Sequence, residues 1–124
     1  SVEALRAQEW HMSENLPFLP IEFTRIARLE LHEIWVWNER RYDEEHADRY
    51  FRFLRSEIDK LSIDPNRGKV LPAKTSLRYH VIRRKNRGYG HIVVYEIRET
   101  TIRISHIFHT SQDWQRRLSE DEPR

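Results

Sequence analysis

The spacing at which apolar residues recur changes near the middle of the chain, at the turn-forming stretch of residues 64–68 (DPNRG). Before this stretch, apolar residues recur every three to four positions, as they do in helices. After it, they alternate, as they do in strands. A chain of 124 residues has the usual length of one domain. The sequence therefore predicts a single α+β domain, with its helices in the first half and an antiparallel sheet in the second.

Two helices are predicted in the first half. The first covers residues 25–42 and follows Thr24, and the second covers residues 44–62 and follows Asp43, both suitable N-cap residues. The inward stripes are Ala27, Leu31, Ile34, Trp35 and Asn38, and then Ala47, Tyr50, Phe51, Leu54, Ile58 and Leu61. Because the connection is short, we expect an antiparallel helix hairpin.

Strands are predicted on both sides of this hairpin. Prolines precede residues 21–24, which favours an edge strand there. Residues 77–84, 90–97 and 101–109 are separated by short turns and predict an antiparallel meander, giving the order β-α-α-β-β-β. In the last strand we expect Ile102, Ile104, His106 and Phe108 to share one face. One face of the sheet should pack on the hairpin and the other should be free, apart from Trp114, which we expect to pack the C-terminal segment onto the sheet.

The two ends of the chain are expected to lie outside this domain, which we assign to residues 16–118. Residues 1–15 contain a His-Met pair and read either as a vector-derived extension or as a native amphipathic arm. Residues 119–124 are charged and expected to fray.

Charge is sorted along the chain although the net charge is only +2. None of the acidic residues lies between Asp64 and Glu96. That acid-free stretch contains Arg67, Lys69, Lys74, Arg78, His80, Arg83, Arg84, Lys85, Arg87 and His91. A charge run of this kind is often only a solvated face, but cations without nearby acids on adjacent strands favour a contiguous surface for an anionic partner.

Several other classes of protein are disfavoured by the residues. Cysteine is absent, which excludes disulfides and thiolate metal sites and fits a cytoplasmic protein. No apolar run is long enough to span a membrane. No glycine-rich nucleotide loop occurs, and the histidines lack ligand partners at suitable spacing, so we expect neither a cofactor nor a metal. Of these histidines, we interpret His106 as a satisfied core residue.

Three stretches in order resemble the RelE/ParE superfamily of bacterial type II toxins. They are residues 27–68, with the helical pattern described above, residues 90–97 (GHIVVYEI) and residues 102–114 (IRISHIFHTSQDW). The last stretch is close to the ending common in ParE-like members. The resemblance implies a cytoplasmic toxin with the superfamily's α+β fold, neutralised by a cognate antitoxin.

The resemblance leaves the target open, because ParE-type members poison DNA gyrase whereas RelE-type members cleave mRNA on the ribosome without metal. The fold is shared by both and does not choose between them. We therefore expect growth inhibition through gyrase or translation. A non-toxic protein- or nucleic-acid-binding module on the same scaffold is a further alternative.

The ribonuclease alternative implies His109 as the catalytic residue, with Arg78 and Arg83 as cations. The tyrosine that follows this histidine in some RelE-type toxins is Thr110 here, and a purely structural role for His109 is the other reading. Binding of the anionic target or antitoxin is assigned to Arg84, Lys85, Arg87 and His91. Trp37 and Phe53 fall off their helical stripes and are the candidates for a partner groove.

Overall fold

The computed structural model describes residues 19–85 and 88–120. Within these residues the helices are α1 (Arg25–Arg41), α2 (Glu44–Asp59) and α3 (Trp114–Glu120). The strands are β1 (Ile21–Phe23), β2 (Lys69–Leu71), β3 (Lys74–Ile82), β4 (His91–Ile97) and β5 (Ile102–His109). The predicted α+β class and the predicted order of the first elements are confirmed. No helix in the described part of the chain is both long and apolar enough to cross a membrane.

The helix hairpin forms where the sequence predicted it, because its N-caps are satisfied locally. The Thr24 hydroxyl accepts the N–H of Ala27, and the Asp43 carboxylate accepts the N–H of His46 at 2.7 Å. The second helix ends at Asp59, earlier than predicted, and a short 3₁₀ turn carries the chain on to Ser62.

The five strands form one sheet in the order β1-β5-β4-β3-β2. The first strand lies at an edge, as predicted, and pairs parallel to β5, whereas all other pairs are antiparallel. The sequence did not predict β2. Its three residues are too few to show an alternating pattern, and its pairing with β3 is decided by residues distant in the chain.

A β-bulge in the last strand changes which side chains face the helices. Val94 pairs with His106, but the next residue of β4, Tyr95, pairs with Ile104, so one residue of β5 is left unpaired between them. Ile104 therefore faces the helix hairpin, while His106 and Phe108 stack against each other on the opposite face. The prediction that these residues share one face was wrong for this reason.

Both faces of the sheet carry an apolar cluster. The larger cluster lies under the hairpin and includes Leu54 and Tyr95. The smaller one lies on the opposite face, where α3 covers Phe108 with Trp114 and Leu118. Trp114 therefore packs on the sheet as predicted, but the prediction of a free face was wrong. Residues 119 and 120 belong to α3, and residues 1–15 and 121–124 lie outside the described residues.

Candidate functional site: a cleft between the helix hairpin and the sheet

A cleft of about 770 Å³ opens between the helix hairpin and the end of the sheet where β4 begins and β5 finishes. Its walls combine aromatic rings, imidazoles, two carboxylates and two guanidinium groups. The lining side chains used below are those of Glu30, Glu33, Trp37, Tyr42, His46, Tyr50, Arg84, Tyr89, His91, His109, Ser111, Gln112 and Arg117. Such a mixed lining suits an anionic or aromatic ligand group.

Tyr50, His91 and His109 form a connected row inside the cleft. The hydroxyl oxygen of Tyr50 lies 2.7 Å from Nδ1 of His91. The ring of His91 in turn meets the ring of His109 edge-on, with centroids 5.2 Å apart. The row links α2 to β4 and β5 across the cleft.

Burial sets the protonation states of the first two members of this row. It lowers the pKa of His91 to about 4, with the neighbouring His109 as a smaller cause. Burial also raises the pKa of Tyr50 to about 12, against an opposing effect of Arg84. Near neutral pH both groups are therefore uncharged, and the contact between them is a neutral hydrogen bond.

His109 is held by the turn that follows it. Its Nδ1 accepts the backbone N–H of Ser111 at 3.1 Å and lies 2.6 Å from the Ser111 hydroxyl. Its own backbone N–H donates to the side chain of Gln112, and Tyr89 stacks on its ring. Because Nδ1 is an acceptor here, the neutral ring carries its proton on Nε2.

Thr110 closes the sheet beside this histidine. Its hydroxyl accepts the backbone N–H of Gly90 at 3.0 Å, and its own N–H donates to the carbonyl of Gly90 at the same distance. The side chain is thus engaged by the backbone at the start of β4.

The comparisons with known proteins decide the family. The model of the family described as the ParE toxin of type II toxin-antitoxin system, parDE, matches residues 21–114. This chain belongs to the ParE toxin family. The resemblance to the RelE/ParE superfamily is therefore confirmed, on the ParE side.

A solved structure shows the same fold. A chain of the "Chromosomal ParDE TA system from P. aeruginosa" superposes with a TM-score of 0.62 at 17% sequence identity. The match covers 73% of this chain and 95% of that chain. No curated protein sequence matches this ParE-family chain.

The basic residues of the acid-free stretch are spread along β3 and its two ends in this ParE-family chain. Lys74 begins β3 and Arg83 follows its end, and nine residues at about 3.3 Å each separate them by roughly 30 Å. Arg78 lies between, where its guanidinium donates to the carbonyl of Gly68 at 2.8 Å. These cations are thus distributed over the whole length of the strand.

The predicted catalytic residues are only partly brought together. Ile82 pairs with His91, which in turn pairs with His109. Arg78 lies four residues before Ile82 in β3 and pairs with Tyr95. Arg78 is thus about 13 Å away along the strand and does not line the cleft. Arg83 is exposed and donates through Nε to the carbonyl of Gly88 at 2.7 Å, which closes the hairpin turn.

The predicted binding residues divide in a similar way. Arg84 and His91 line the cleft, and Lys85 is exposed beside it. The guanidinium of Arg84 also lies over the ring of Phe53, 5.7 Å from its centroid. Arg87 lies outside the described residues.

The two candidate groove aromatics have different surroundings. Trp37 is 59% exposed and projects between the cleft and a second groove on α1. Phe53 is half-buried, packs against the main core and contacts Tyr50 with ring centroids 5.8 Å apart. Trp37 therefore presents an exposed ring, whereas Phe53 packs beneath the cleft beside Tyr50.

Sequence reasoning missed the carboxylates and the tyrosine of the cleft. Glu30 accepts the backbone N–H of Ile107 and lies 3.3 Å from His106, so it satisfies the predicted core histidine and covers the open edge of β5. Tyr50 was assigned to the core stripe of the second helix. A buried tyrosine hydroxyl needs a hydrogen-bond partner, and this requirement could have indicated that Tyr50 contacts a polar group. Among residues 19–85 and 88–120, no group of three or more metal-binding side chains converges.

Proposed function

We propose that this ParE-family chain is the toxin of a type II toxin–antitoxin pair, that it inhibits growth by binding DNA gyrase, and that a cognate antitoxin relieves the inhibition. The observation that carries the proposal is the pair of contacts between Thr110 and Gly90, 3.0 Å each. Through these contacts the side chain of Thr110 closes the sheet. Thr110 follows His109 and occupies the position at which some RelE-type nucleases have a tyrosine. The match to the ParE toxin family also supports the ParE-type function over the RelE-type function.

The remaining groups around His109 also support binding rather than cleavage. Cleavage of RNA without metal needs a base, an acid and cations placed around one phosphate. Nδ1 of His109 is engaged by Ser111, and Arg78 is engaged by Gly68 at a distance from the cleft. A surface that binds a protein needs none of this chemistry.

The test combines expression in bacteria with purified proteins. Induction of the chain should stop growth, and co-expression of the antitoxin encoded beside it should restore growth. The purified chain should block supercoiling by gyrase while leaving ribosome-bound mRNA intact. Growth without inhibition, together with unaffected supercoiling, would refute the proposal.

A second candidate is a ribosome-dependent mRNA endoribonuclease. It is favoured by one observation, namely that His109 shares its cleft with Arg84 and Arg117. Under this candidate the purified chain would cleave ribosome-bound mRNA, and His109→Ala would abolish cleavage. A control is His32→Ala, since His32 is exposed on α1 and does not line the cleft. Equal cleavage by His109→Ala and wild type would remove His109 from the mechanism.

A further inference from the structure

Exposed aromatic rings line the cleft on both of its sides. On the side of the helix hairpin, Trp37 is 59% exposed, and the ring of Tyr42 meets it edge-on with centroids 6.3 Å apart. On the side of the sheet, Tyr89 is 78% exposed and one face of its ring lies against His109, with centroids 5.4 Å apart. Large exposed rings that line a concave surface are typical of a ligand site. They offer faces on which a flat ring can stack.

Two arginines of the cleft have no acidic partner. Arg84 follows β3 and Arg117 lies in α3, so different elements bring them to the same cleft. Both are exposed, and within residues 19–85 and 88–120 neither forms an ion pair. The charge of Arg84 reaches the cleft floor, where it opposes the rise in the pKa of Tyr50. Guanidinium groups in this state bind phosphate oxygens well, because they donate two parallel hydrogen bonds.

A buried amide supplies an acceptor in the same cleft. Asn38 is only 6% exposed, and its Nδ2 donates to the carbonyl of Ile34 at 2.8 Å. Its Oδ1 accepts no hydrogen bond from any described residue. Because buried polar atoms are nearly always paired, this oxygen calls for a donor from whatever fills the cleft. The exposed carboxylate of Glu33 is a second acceptor in the lining.

These three kinds of group together select the ligand. Guanidinium groups alone would suit any anion, and aromatic rings alone would suit any apolar molecule. A cleft that combines them with an unpaired acceptor suits a flat ring that carries both an amino group and a phosphate. A nucleotide with an amino-bearing base has these features, since bases stack on aromatic side chains and hydrogen-bond through their edges. The volume of about 770 Å³ lies in the usual range of small-molecule sites.

We infer that the cleft binds a free nucleoside monophosphate whose base carries an amino group. The base would stack on the open face of Tyr89, and its amino group would donate to Oδ1 of Asn38. The phosphate would accept from the guanidinium groups of Arg84 and Arg117. This site goes beyond the proposed function, and neither requires the other.

The experiment is a calorimetric titration of the purified chain with guanosine monophosphate, which should bind. Guanosine and inorganic phosphate each supply only part of the contacts, so each should bind about tenfold more weakly. Inosine monophosphate differs from guanosine monophosphate in lacking the amino group. It should bind about fivefold more weakly, because Oδ1 of Asn38 then stays unpaired. This comparison tests the buried amide without changing the protein.

Two variants test the exposed groups of the cleft. Tyr89→Leu removes the stacking ring and should weaken binding of guanosine monophosphate by about tenfold. Arg84→Gln combined with Arg117→Gln should also weaken it by about tenfold, and this loss should shrink at high salt because it is electrostatic. Matched controls are Ile63→Ala and Arg52→Gln, which change exposed residues outside the cleft and should bind as the wild type does. Unchanged circular dichroism would show that the variants fold.

The outcomes separate this inference from the proposed function. If the wild type does not bind guanosine monophosphate, or if the cleft variants bind it as well as the controls do, the nucleotide site is refuted. A short single-stranded RNA that binds where the mononucleotide does not would assign the cleft to a nucleic-acid strand and also overturn the inference. The titration contains no gyrase, so its failure leaves the proposed function standing. Conversely, a chain that binds the nucleotide but leaves supercoiling unaffected would refute only the proposed function.

Discussion

The hydroxyl of Tyr50 lies 2.7 Å from Nδ1 of His91 and joins the second helix to the fourth strand across the floor of the cleft. Both side chains are held in their uncharged forms by burial, which raises the pKa of Tyr50 to about 12 and lowers that of His91 to about 4. The contact is therefore a neutral hydrogen bond whose loss leaves a buried ring nitrogen without a partner.

Replacing Tyr50 with Phe should destabilise the protein. The ring is retained, but Nδ1 of the buried His91 loses its hydrogen-bond partner, which costs about 1–3 kcal/mol. Urea denaturation should show the change as a lower midpoint at unchanged slope. Tyr42→Phe is the matched control, because Tyr42 is exposed and its hydroxyl makes no hydrogen bond within the described residues. Equal midpoints for the two variants would contradict the prediction.

Stability should fall with acidification because of His91. Its pKa in the folded protein, about 4, lies below the ordinary value of 6.5, so protons bind more tightly to the unfolded chain. The stabilisation is complete above pH 6.5 and is lost as the pH falls towards 4, with a slope of up to about 1.4 kcal/mol per pH unit. His91→Phe should flatten this dependence in urea denaturation across that range.

The exposed His32 provides the control for the pH series. His32→Gln should retain the slope of the wild type between pH 6.5 and 4. A wild-type slope that persists in His91→Phe would mean that other groups cause the acid sensitivity.

Tyr95→Phe should destabilise the loop that precedes β2. The buried hydroxyl of Tyr95 accepts the N–H of Gly68 at 2.9 Å and donates to the carbonyl of Pro65 at 2.6 Å. Its removal leaves both backbone groups without this partner and should cost about 2 kcal/mol. Thermal unfolding measures the loss, and Tyr79→Phe, whose half-buried hydroxyl makes no hydrogen bond within the described residues, should change little.

Gly68→Ala should be costly at the same place. An added Cβ would lie 2.6 Å from the hydroxyl oxygen of Tyr95 and 2.8 Å from the backbone oxygen of Tyr79. Combining Gly68→Ala with Tyr95→Phe should therefore cost less than the sum of the single changes, because the first clash disappears. Strict additivity in a double-mutant cycle would contradict the close contact.

Glu30→Ala should loosen the open edge of β5. The carboxylate of Glu30 accepts the N–H of Ile107 at 2.9 Å, and its loss should cost about 1.5–3 kcal/mol, as for hydrogen bonds to charged groups. Amide hydrogen exchange at Ile107 should accelerate. Glu30→Gln keeps an acceptor oxygen and should retain most of the protection. Equal exchange in the Ala variant and the wild type would show that the edge is protected by something else.

Charge reversal in the β-hairpin that joins β3 to β4 should weaken binding without unfolding the protein. Arg83 and Arg84 are both exposed, so Arg83→Glu with Arg84→Glu should cost little stability. Affinity for antitoxin or target should fall by about tenfold, and most at low salt. Arg52→Glu, on the exposed side of α2, is the control. If the double variant binds antitoxin and target as tightly as the wild type does, the β3–β4 hairpin takes no part in recognition.

Local sequence determined the helices and the middle of the sheet. The caps at Thr24 and Asp43 act within three residues, so the starts of α1 and α2 can be read from the chain. The run of β-branched residues at 92–94 likewise predicts β4. In these segments the interactions that select the structure are formed by neighbours in the sequence.

The tertiary structure alone decided the candidate site. Tyr50 and His91 are 41 positions apart, and no local pattern connects them. The bulge that moves His106 and Phe108 to the far face depends on how β5 pairs with β4. The sequence determined which side chains the ParE-family chain offers and in which elements they lie. The packing of the helix hairpin on the sheet determined which of these side chains meet, because strand register and burial are set by contacts between distant segments.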